Sequence, residues 1–130
     1  MAVLVVNAGS SSIKAAVFAP DLTEIAALRV TEIGGAARLQ GMGLSQSVTA
    51  PDPAAAMAVI LAALPMPVSA LTAAAHRVVH GGAALVAPRR ITPEVVAGIE
   101  GCVPLAPLHN PANLMAIRAL GRLVPDLPQS

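Results

Sequence analysis

The chain has 130 residues, of which 55% are hydrophobic and 12% are charged, and its formal net charge is +1. A chain of this length and composition is expected to form about one folded domain rather than a disordered segment. Its balanced charges and single aromatic ring, Phe18, provide neither the basic stripe nor the stacking surface of a nucleic-acid-binding protein. Nucleic acid is therefore not an expected partner.

The sequence indicates a cytoplasmic protein that does not enter a membrane. Its single cysteine, Cys102, excludes an internal disulfide and fits a reducing compartment. The apolar run at 3–6 is too short for a signal peptide. Residues 53–75 carry no charge and are numerous enough to cross a bilayer, but Pro65 and Pro67 interrupt them. A short buried helix followed by a strand is the favoured interpretation.

The first half of the sequence predicts a small antiparallel sheet. Apolar or alternating segments are separated by turn residues, such as the polar segment 7–12. The predicted elements are strands at 2–6, 13–19 and 24–33, and a further extended piece at 44–48 on the sheet edge. Because short turns join the three strands, they are expected to form an antiparallel meander.

The second half predicts three helices and one more strand. Asp52 is the expected N-cap of a helix that has Pro53 at its first position. Thr92 and Glu94 mark the start of another helix, and Asn110 opens the last one. The predicted ranges are a helix ending at 64, a strand at 72–79, a helix from 92 to about 101 and a helix from 110.

The order of these elements predicts the fold class. A helix that connects two strands of one sheet sets those strands side by side and parallel. The strand at 72–79 is therefore expected beside the strand at 2–6, with both carboxyl ends at the edge where ligands bind in open α/β sheets. The sequence predicts an α/β fold with a mixed sheet and helices on its faces.

The segment 7–14 (NAGSSSIK) combines an amide, three hydroxyls, backbone N–H groups and the only lysine of the chain, Lys14. A polyphosphate requires donors around its oxygens together with a cation. Gly9 allows either a close backbone approach or a positive φ. An ordinary hairpin turn rich in Gly and Ser would contain the same residues, so the segment alone leaves both interpretations open.

Arg77 lies near the end of the predicted strand at 72–79, shortly before two glycines. A guanidinium at this sheet edge matches carboxylate or phosphate oxygens, although a surface arginine beside a turn would give the same pattern. His76 and His80 flank Arg77 and share the opposite face of the strand. This spacing indicates a structural role for both histidines.

His109 directly precedes the helix predicted to start at Asn110. The dipole of a helix favours an anion at its N-terminus, so His109 could hydrogen-bond a phosphoryl group there. The alternative is that Asn110 is a simple N-cap and His109 is only its neighbour.

Three segments resemble signatures of the acetate kinase family: LVVNAGSSSIK at 4–14, HRVVHGG at 76–82 and APLHNPAN at 106–113. They occur in the order of the family, which makes the resemblance specific. It implies the ribonuclease-H-like, actin-like ATPase fold of the acetate and sugar kinase superfamily. It also implies a phosphotransferase that moves the γ-phosphoryl group of ATP to acetate, reversibly giving acetyl phosphate and ADP, with Mg²⁺ as cofactor.

The resemblance assigns the phosphate side of the site to the first segment. It implies that Asn7 lies near Mg²⁺ and the phosphates, and that Ser10, Ser12 and Lys14 line the phosphate-facing turn.

The other two segments supply the acetate side. The resemblance implies that Arg77 holds the acetate carboxylate and the transferring phosphoryl group, and that His109 stabilises charge on that group. Val79 and Leu108 match positions that line the apolar pocket for the acetate methyl.

Members of the family are much longer than this chain, so residues 1–130 are expected to be an incomplete N-terminal domain without the C-terminal domain. The sheet would then lack its next strand and present an open edge. Three functions remain: an acetate kinase present as a truncated chain, an inactive fragment that binds phosphate or a complementary chain, and a propionate or butyrate kinase. Full-length members are expected to be homodimers.

Overall fold

The computed structural model describes residues 2–76, 91–101 and 110–130. The strands are β1 (Ala2–Ala8), β2 (Ile13–Phe18), β3 (Glu24–Thr31), β4 (Arg38–Gly41), β5 (Leu44–Ser47) and β6 (Leu71–His76). The helices are α1 (Pro53–Ala63), α2 (Pro93–Gly101) and α3 (Asn110–Leu123), and a 3₁₀ turn spans Val68–Ala70.

The six strands form one mixed sheet with the order β5-β4-β3-β2-β1-β6. Strands β1 to β5 pair antiparallel with their sequence neighbours, whereas β6 pairs parallel to β1. These pairings confirm the predicted meander and the predicted position of the crossover strand. The extended piece at 44–48 is β5 at the sheet edge, and β4 is an additional short strand that the sequence pattern did not predict.

Within the described residues, strand ends differ from the predicted ones by one or two residues, and the backbone explains the two larger differences. β1 continues to Ala8 because Asn7 and Ala8 pair with Lys14 and Ile13. β3 ends at Thr31 because Glu32 takes a φ of 53°, which an extended strand does not permit.

Alternating side chains give the sheet one apolar face, here called the inner face. Its core residues are fully or almost fully buried; the largest are Leu4, Val6, Ile13, Val17, Val30 and Leu39. Helices α1 and α3 pack on this face and on each other. Because the period of a strand is two, the intervening residues point to the other side, the outer face, and Val5, Lys14, Ala27 and Arg29 there are exposed.

The edge of β6 is not open over its whole length, in contrast to the sequence-based expectation. After α3 the chain turns back, and residues 128–130 run parallel to β6. The Ala74 N–H donates to Pro128 O at 2.8 Å, the Ser130 N–H donates to Ala74 O at 2.9 Å, and the His76 N–H donates to Ser130 O at 2.7 Å. Residues 128–130 therefore cover part of the β6 edge through an isolated bridge.

The predicted helix caps are confirmed. Asp52 Oδ1 accepts a hydrogen bond from Ala55 N at 2.8 Å, and Pro53 occupies the first turn of α1. Thr92 Oγ1 accepts from Val95 N at 3.2 Å at the start of α2. Each side chain satisfies one backbone donor that the first turn of a helix leaves without a partner.

Replacing Asp52 with Ala should lower the free energy of unfolding by about 1 kcal/mol, because the Ala55 N–H loses its acceptor. Asp52→Asn is the matched variant, since an asparagine caps about as well and removes only the charge. Urea unfolding followed by far-ultraviolet circular dichroism measures the free energy of unfolding of both variants. Equal destabilisation by Ala and Asn would contradict a capping role.

Two glycines of the β4–β5 hairpin provide a second test. Gly41 has a φ of +117°, and a Cβ atom there would lie 2.3 Å from Ala27 O; Gly43 has a φ of +76° with open space around it. Gly43→Ala should cost about 1 kcal/mol for the left-handed backbone alone. Gly41→Ala should cost about 3 kcal/mol, because backbone atoms of β3 must also move. Urea midpoints of the two variants compare these costs directly, and equal midpoints would contradict the close approach.

Candidate functional site

The hairpin turn between β1 and β2 is closed by a hydrogen bond from Gly9 N to Ser12 O at 2.8 Å. A Cβ atom on Gly9 would lie 3.1 Å from Ser12 Oγ, which is tighter than most side-chain contacts. Gly9 does not have a positive φ. Of the two reasons given above for a glycine here, the positive φ is wrong, and the close approach of a ligand to the backbone stays a prediction.

Four of the predicted site residues come together at this end of the sheet. Asn7 and Lys14 are direct cross-strand partners on the outer face, and both are exposed. Ser10 is exposed in the turn and Ser12 is half-buried beside Gly9. In the described part of the chain, none of these four side chains has a hydrogen-bond or ion-pair partner. Their polar atoms are therefore available to a ligand.

The turn is adjacent to the carboxyl end of β6. The parallel register pairs Val6 with His76, so β1 and β6 end at the same edge. Arg77 follows His76 in the sequence, but Arg77 and Val79 lie outside the described residues.

The third segment is described only from Asn110, where α3 begins as predicted. Leu108 and His109 lie outside the described residues. Asn113, in the first turn of α3, is 2% exposed, and its Nδ2 atom has no hydrogen-bond partner among residues 2–76, 91–101 and 110–130.

His76 is held by a network that the sequence pattern did not predict. Its Nε2 atom lies 2.5 Å from Gln129 Oε1, and Gln129 Nε2 donates to Ile117 O of α3 at 3.3 Å. Burial of the ring lowers the pKa of His76 below its ordinary value, and the hydrogen bond to Gln129 offsets part of that shift. These contacts confirm a structural role for His76; His80 lies outside the described residues. No local signal marks Gln129, because its partners are distant in sequence.

The described residues contain no group of three His, Cys, Asp or Glu side chains that could hold a metal ion. Asn7 offers one neutral oxygen, and its direct neighbour Lys14 is a cation. Such a set does not bind Mg²⁺ by itself. It fits an ion that arrives with phosphate oxygens and water as its main ligands, which is a usual arrangement for Mg²⁺.

None of the helices in the described ranges is long and apolar enough to cross a membrane.

Comparison with known proteins identifies the protein family to which this chain belongs. The profile of the Acetokinase family matches residues 2–130. An acetate kinase of Deinococcus radiodurans is 41% identical over 133 residues, covering 96% of this chain and 33% of that protein. The chain spans about a third of the length of the curated relatives it matches.

Solved structures agree with the sequence comparison. The crystal structure of Porphyromonas gingivalis acetate kinase matches with a TM-score of 0.94 and 35% identity, over 98% of this chain and 36% of that one. A propionate kinase from Francisella tularensis matches with a TM-score of 0.90 and 27% identity, over 98% of this chain and 35% of that one. The fold is therefore the predicted one of the actin-like ATPases. The chain belongs to the acetokinase family.

The buried position of His76 predicts how stability depends on pH. Because burial lowers the pKa in the folded state, the unfolded chain, with a pKa of about 6.5, binds the proton more readily. The free energy of unfolding should fall as the pH drops below about 6.5, until the folded-state pKa of His76 has also been passed. NMR titration of the His76 ring measures the pKa, and urea unfolding measures the stability.

His76→Gln should flatten this pH dependence, since glutamine keeps a donor for Gln129 and does not titrate. A His76 pKa at or above that of an unfolded histidine would contradict the prediction. An unchanged pH dependence in His76→Gln would contradict it as well.

Proposed function

We propose that this chain supplies the phosphate-binding turn and the acetate-binding residues of an acetate kinase. The reaction transfers the γ-phosphoryl group of ATP to acetate and is reversible, giving ADP and acetyl phosphate. The observation that carries the proposal is the outer end of the β1–β2 hairpin, beside the carboxyl end of β6. There the polar groups of Asn7, Ser10, Ser12 and Lys14 have no partner among the described residues. Membership of the family supports the same reaction.

The hairpin suits a polyphosphate for electrostatic and steric reasons. The Lys14 ammonium neutralises phosphate charge, and the serine hydroxyls donate to phosphate oxygens. Gly9 keeps the turn narrow, so that phosphates can approach the backbone. A bound Mg²⁺ would screen the phosphate charge, and Asn7 would contribute one oxygen to it.

The acetate side rests on sequence position. Arg77 would bind the acetate carboxylate and the transferring phosphoryl group through its planar guanidinium. His109 would hydrogen-bond that group in front of α3. Val79 and Leu108 would surround the methyl group.

This set of residues matches what phosphoryl transfer requires. The reaction depends on in-line positioning and on neutralising charge, more than on covalent chemistry by the protein. An acetate oxygen is already a nucleophile, so no general base is required. Cations and hydrogen-bond donors would therefore provide most of the catalysis, and these are the groups that the hairpin and Arg77 offer.

The reaction needs more than this chain, because the chain covers about a third of its relatives. The rest of a family member would provide the nucleoside pocket, and full-length proteins are expected to form homodimers in the cytoplasm. We therefore expect the 130-residue chain alone to make no acetyl phosphate.

A chimera tests the proposal. Residues 1–130 replace the matching third of the Deinococcus radiodurans acetate kinase, and acetyl phosphate is trapped as the hydroxamate. The chimera should be active, whereas Lys14→Gln and Arg77→Ala should each reduce kcat by about a hundredfold or more. Arg122→Gln, an exposed position on α3, is the matched control and should keep full activity.

An inactive chimera that is folded by circular dichroism would contradict the proposal and favour an inactive fragment. Full activity of Lys14→Gln would remove the hairpin from the mechanism. Hydroxamate formation by the chain alone would overturn the expectation that a second domain is needed.

A propionate kinase is the second candidate, because a propionate kinase structure matches over 98% of the chain. One methylene in an apolar pocket changes binding by about 1–3 kcal/mol, so the two acids can be separated only by direct comparison. The ratio of kcat/KM for acetate and propionate in the chimera decides between them.

A further inference from the structure

A row of five polar residues crosses the sheet, one on each strand from β1 to β5. Direct cross-strand pairs link Asn7 to Lys14, Lys14 to Arg29, Arg29 to Gln40 and Gln40 to Ser45. Because paired residues of antiparallel strands point to the same side, all five lie on the outer face, opposite α1 and α3. Arg29 and Gln40 continue the polar surface that begins at the hairpin turn.

The centre of the row is a pair of like charges. Lys14 and Arg29 are directly opposite, an arrangement that places their Cβ atoms about 4.5–5.5 Å apart and is unfavourable without an anion nearby. In the described part of the chain the one ion pair joins Arg118 to Glu100, on the helices. Neither Lys14 nor Arg29 has a carboxylate partner there, so a bound anion would relieve their repulsion.

Lys14 and Arg29 line an open groove of about 390 Å³ on the outer face. Its described lining contains two cations, one amide and no acidic residue, and the remainder is small or apolar. Ala16, Ala27 and Gly41 leave the space because they have little or no side chain. A side chain at Gly41 would be strained, since a Cβ atom there would lie 2.3 Å from Ala27 O. The volume lies within the range of small-molecule sites.

A hydrogen bond between two of the lining side chains orients the donor groups around this groove. Arg29 Nε donates to Gln40 Oε1 at 2.9 Å, which fixes the guanidinium plane and engages the acceptor of the amide. The Nη groups of Arg29, the amide nitrogen of Gln40 and the ammonium of Lys14 have no acceptor in the described residues. Three side chains thus offer only donors to one space.

We propose that Lys14, Arg29 and Gln40 form a binding site for a phosphate group on the outer face of the sheet. Two adjacent cations match a dianion better than a singly charged carboxylate, and a guanidinium binds phosphate oxygens in a bidentate manner. Free phosphate and the terminal phosphate of a nucleotide share this chemistry. The site goes beyond the proposed kinase reaction because it adds Arg29 and Gln40, although both use Lys14.

The test is an NMR titration of the 130-residue chain with inorganic phosphate, at constant ionic strength maintained with chloride. The Nε–Hε signal of Arg29 and the amide signal of Gln40 should shift and saturate together. Arg29→Gln should weaken phosphate binding by about tenfold, the effect of losing one charge-assisted contact. Arg29→Lys, which keeps the charge but not the bond to Gln40, should fall between that variant and the unmodified chain.

Arg122→Gln is the matched control, because it removes one exposed positive charge from α3, away from the outer face. It should change phosphate affinity by less than about twofold, since α3 packs on the inner face and salt screens the interaction between exposed charges. Circular dichroism spectra that match the unmodified chain establish that each variant is folded.

Titrations with ATP and with pyrophosphate distinguish the sources. Tighter binding of ATP that also depends on Arg29 would assign the site to a nucleotide phosphate, whereas equal affinities would assign it to free phosphate. The proposal is overturned by a lack of saturable shifts, by equal affinity of Arg29→Gln and the unmodified chain, or by equal weakening in Arg122→Gln. None of these outcomes requires turnover, so an active chimera with no phosphate shift would refute this site and leave the kinase function intact.

Discussion

The position of β1 is the constraint on which the rest of the structure depends. This strand pairs antiparallel with β2 on one side and parallel with β6 on the other. The two pairings bring the hairpin turn and the end of β6 to one sheet edge. The register is fixed by burial, because a shift of one residue would expose Leu4 and Val6 and turn Asn7 into the core. The placement of the polar site residues is therefore a consequence of apolar packing on the opposite face.

The parts of the fold that could be predicted are those with local signals. The meander was predictable because turn residues separate its strands, and the caps at Asp52 and Thr92 because each involves a backbone group three residues away. β4 has only four residues, and its pairing with β3 decides its conformation, so no local pattern revealed it.

The same distinction applies to the site. The segment from Asn7 to Lys14 was predictable because its residues are contiguous, and one hairpin holds them together. The alignment of Arg29 and Gln40 with Lys14 depends on the registers of two further strand pairs, which the sequence does not show. The assignments of Arg77, Val79, Leu108 and His109 stay predictions.

The charged residues lie on the outer face because successive side chains of a strand point to opposite sides of the sheet. The inner face of β1, β2 and β3 must be apolar to pack against α1 and α3, so Lys14 and Arg29 point outward. This alternation does not determine the sign of the charge. The repulsion between two cations paired across β2 and β3 destabilises the sheet, and solvent weakens this repulsion without removing it. Such a pair fits the proposed phosphate site, because a bound anion would offset the repulsion. The pairing of Lys14 with Asn7 at the hairpin likewise offers a cation and an amide donor to an anion.

The support of β6 links the end of the chain to the proposed acetate site. His76 is the last described residue before Arg77, and it is held twice: its backbone N–H donates to Ser130 O, and its ring contacts Gln129. Gln129 in turn donates to a carbonyl of α3. A guanidinium that aligns acetate for in-line attack needs a fixed backbone, because small displacements of positioning groups reduce rates strongly. Residues 128–130 hold the end of β6, and they would support the acetate side of the proposed reaction in this way, although none of them was assigned to the site.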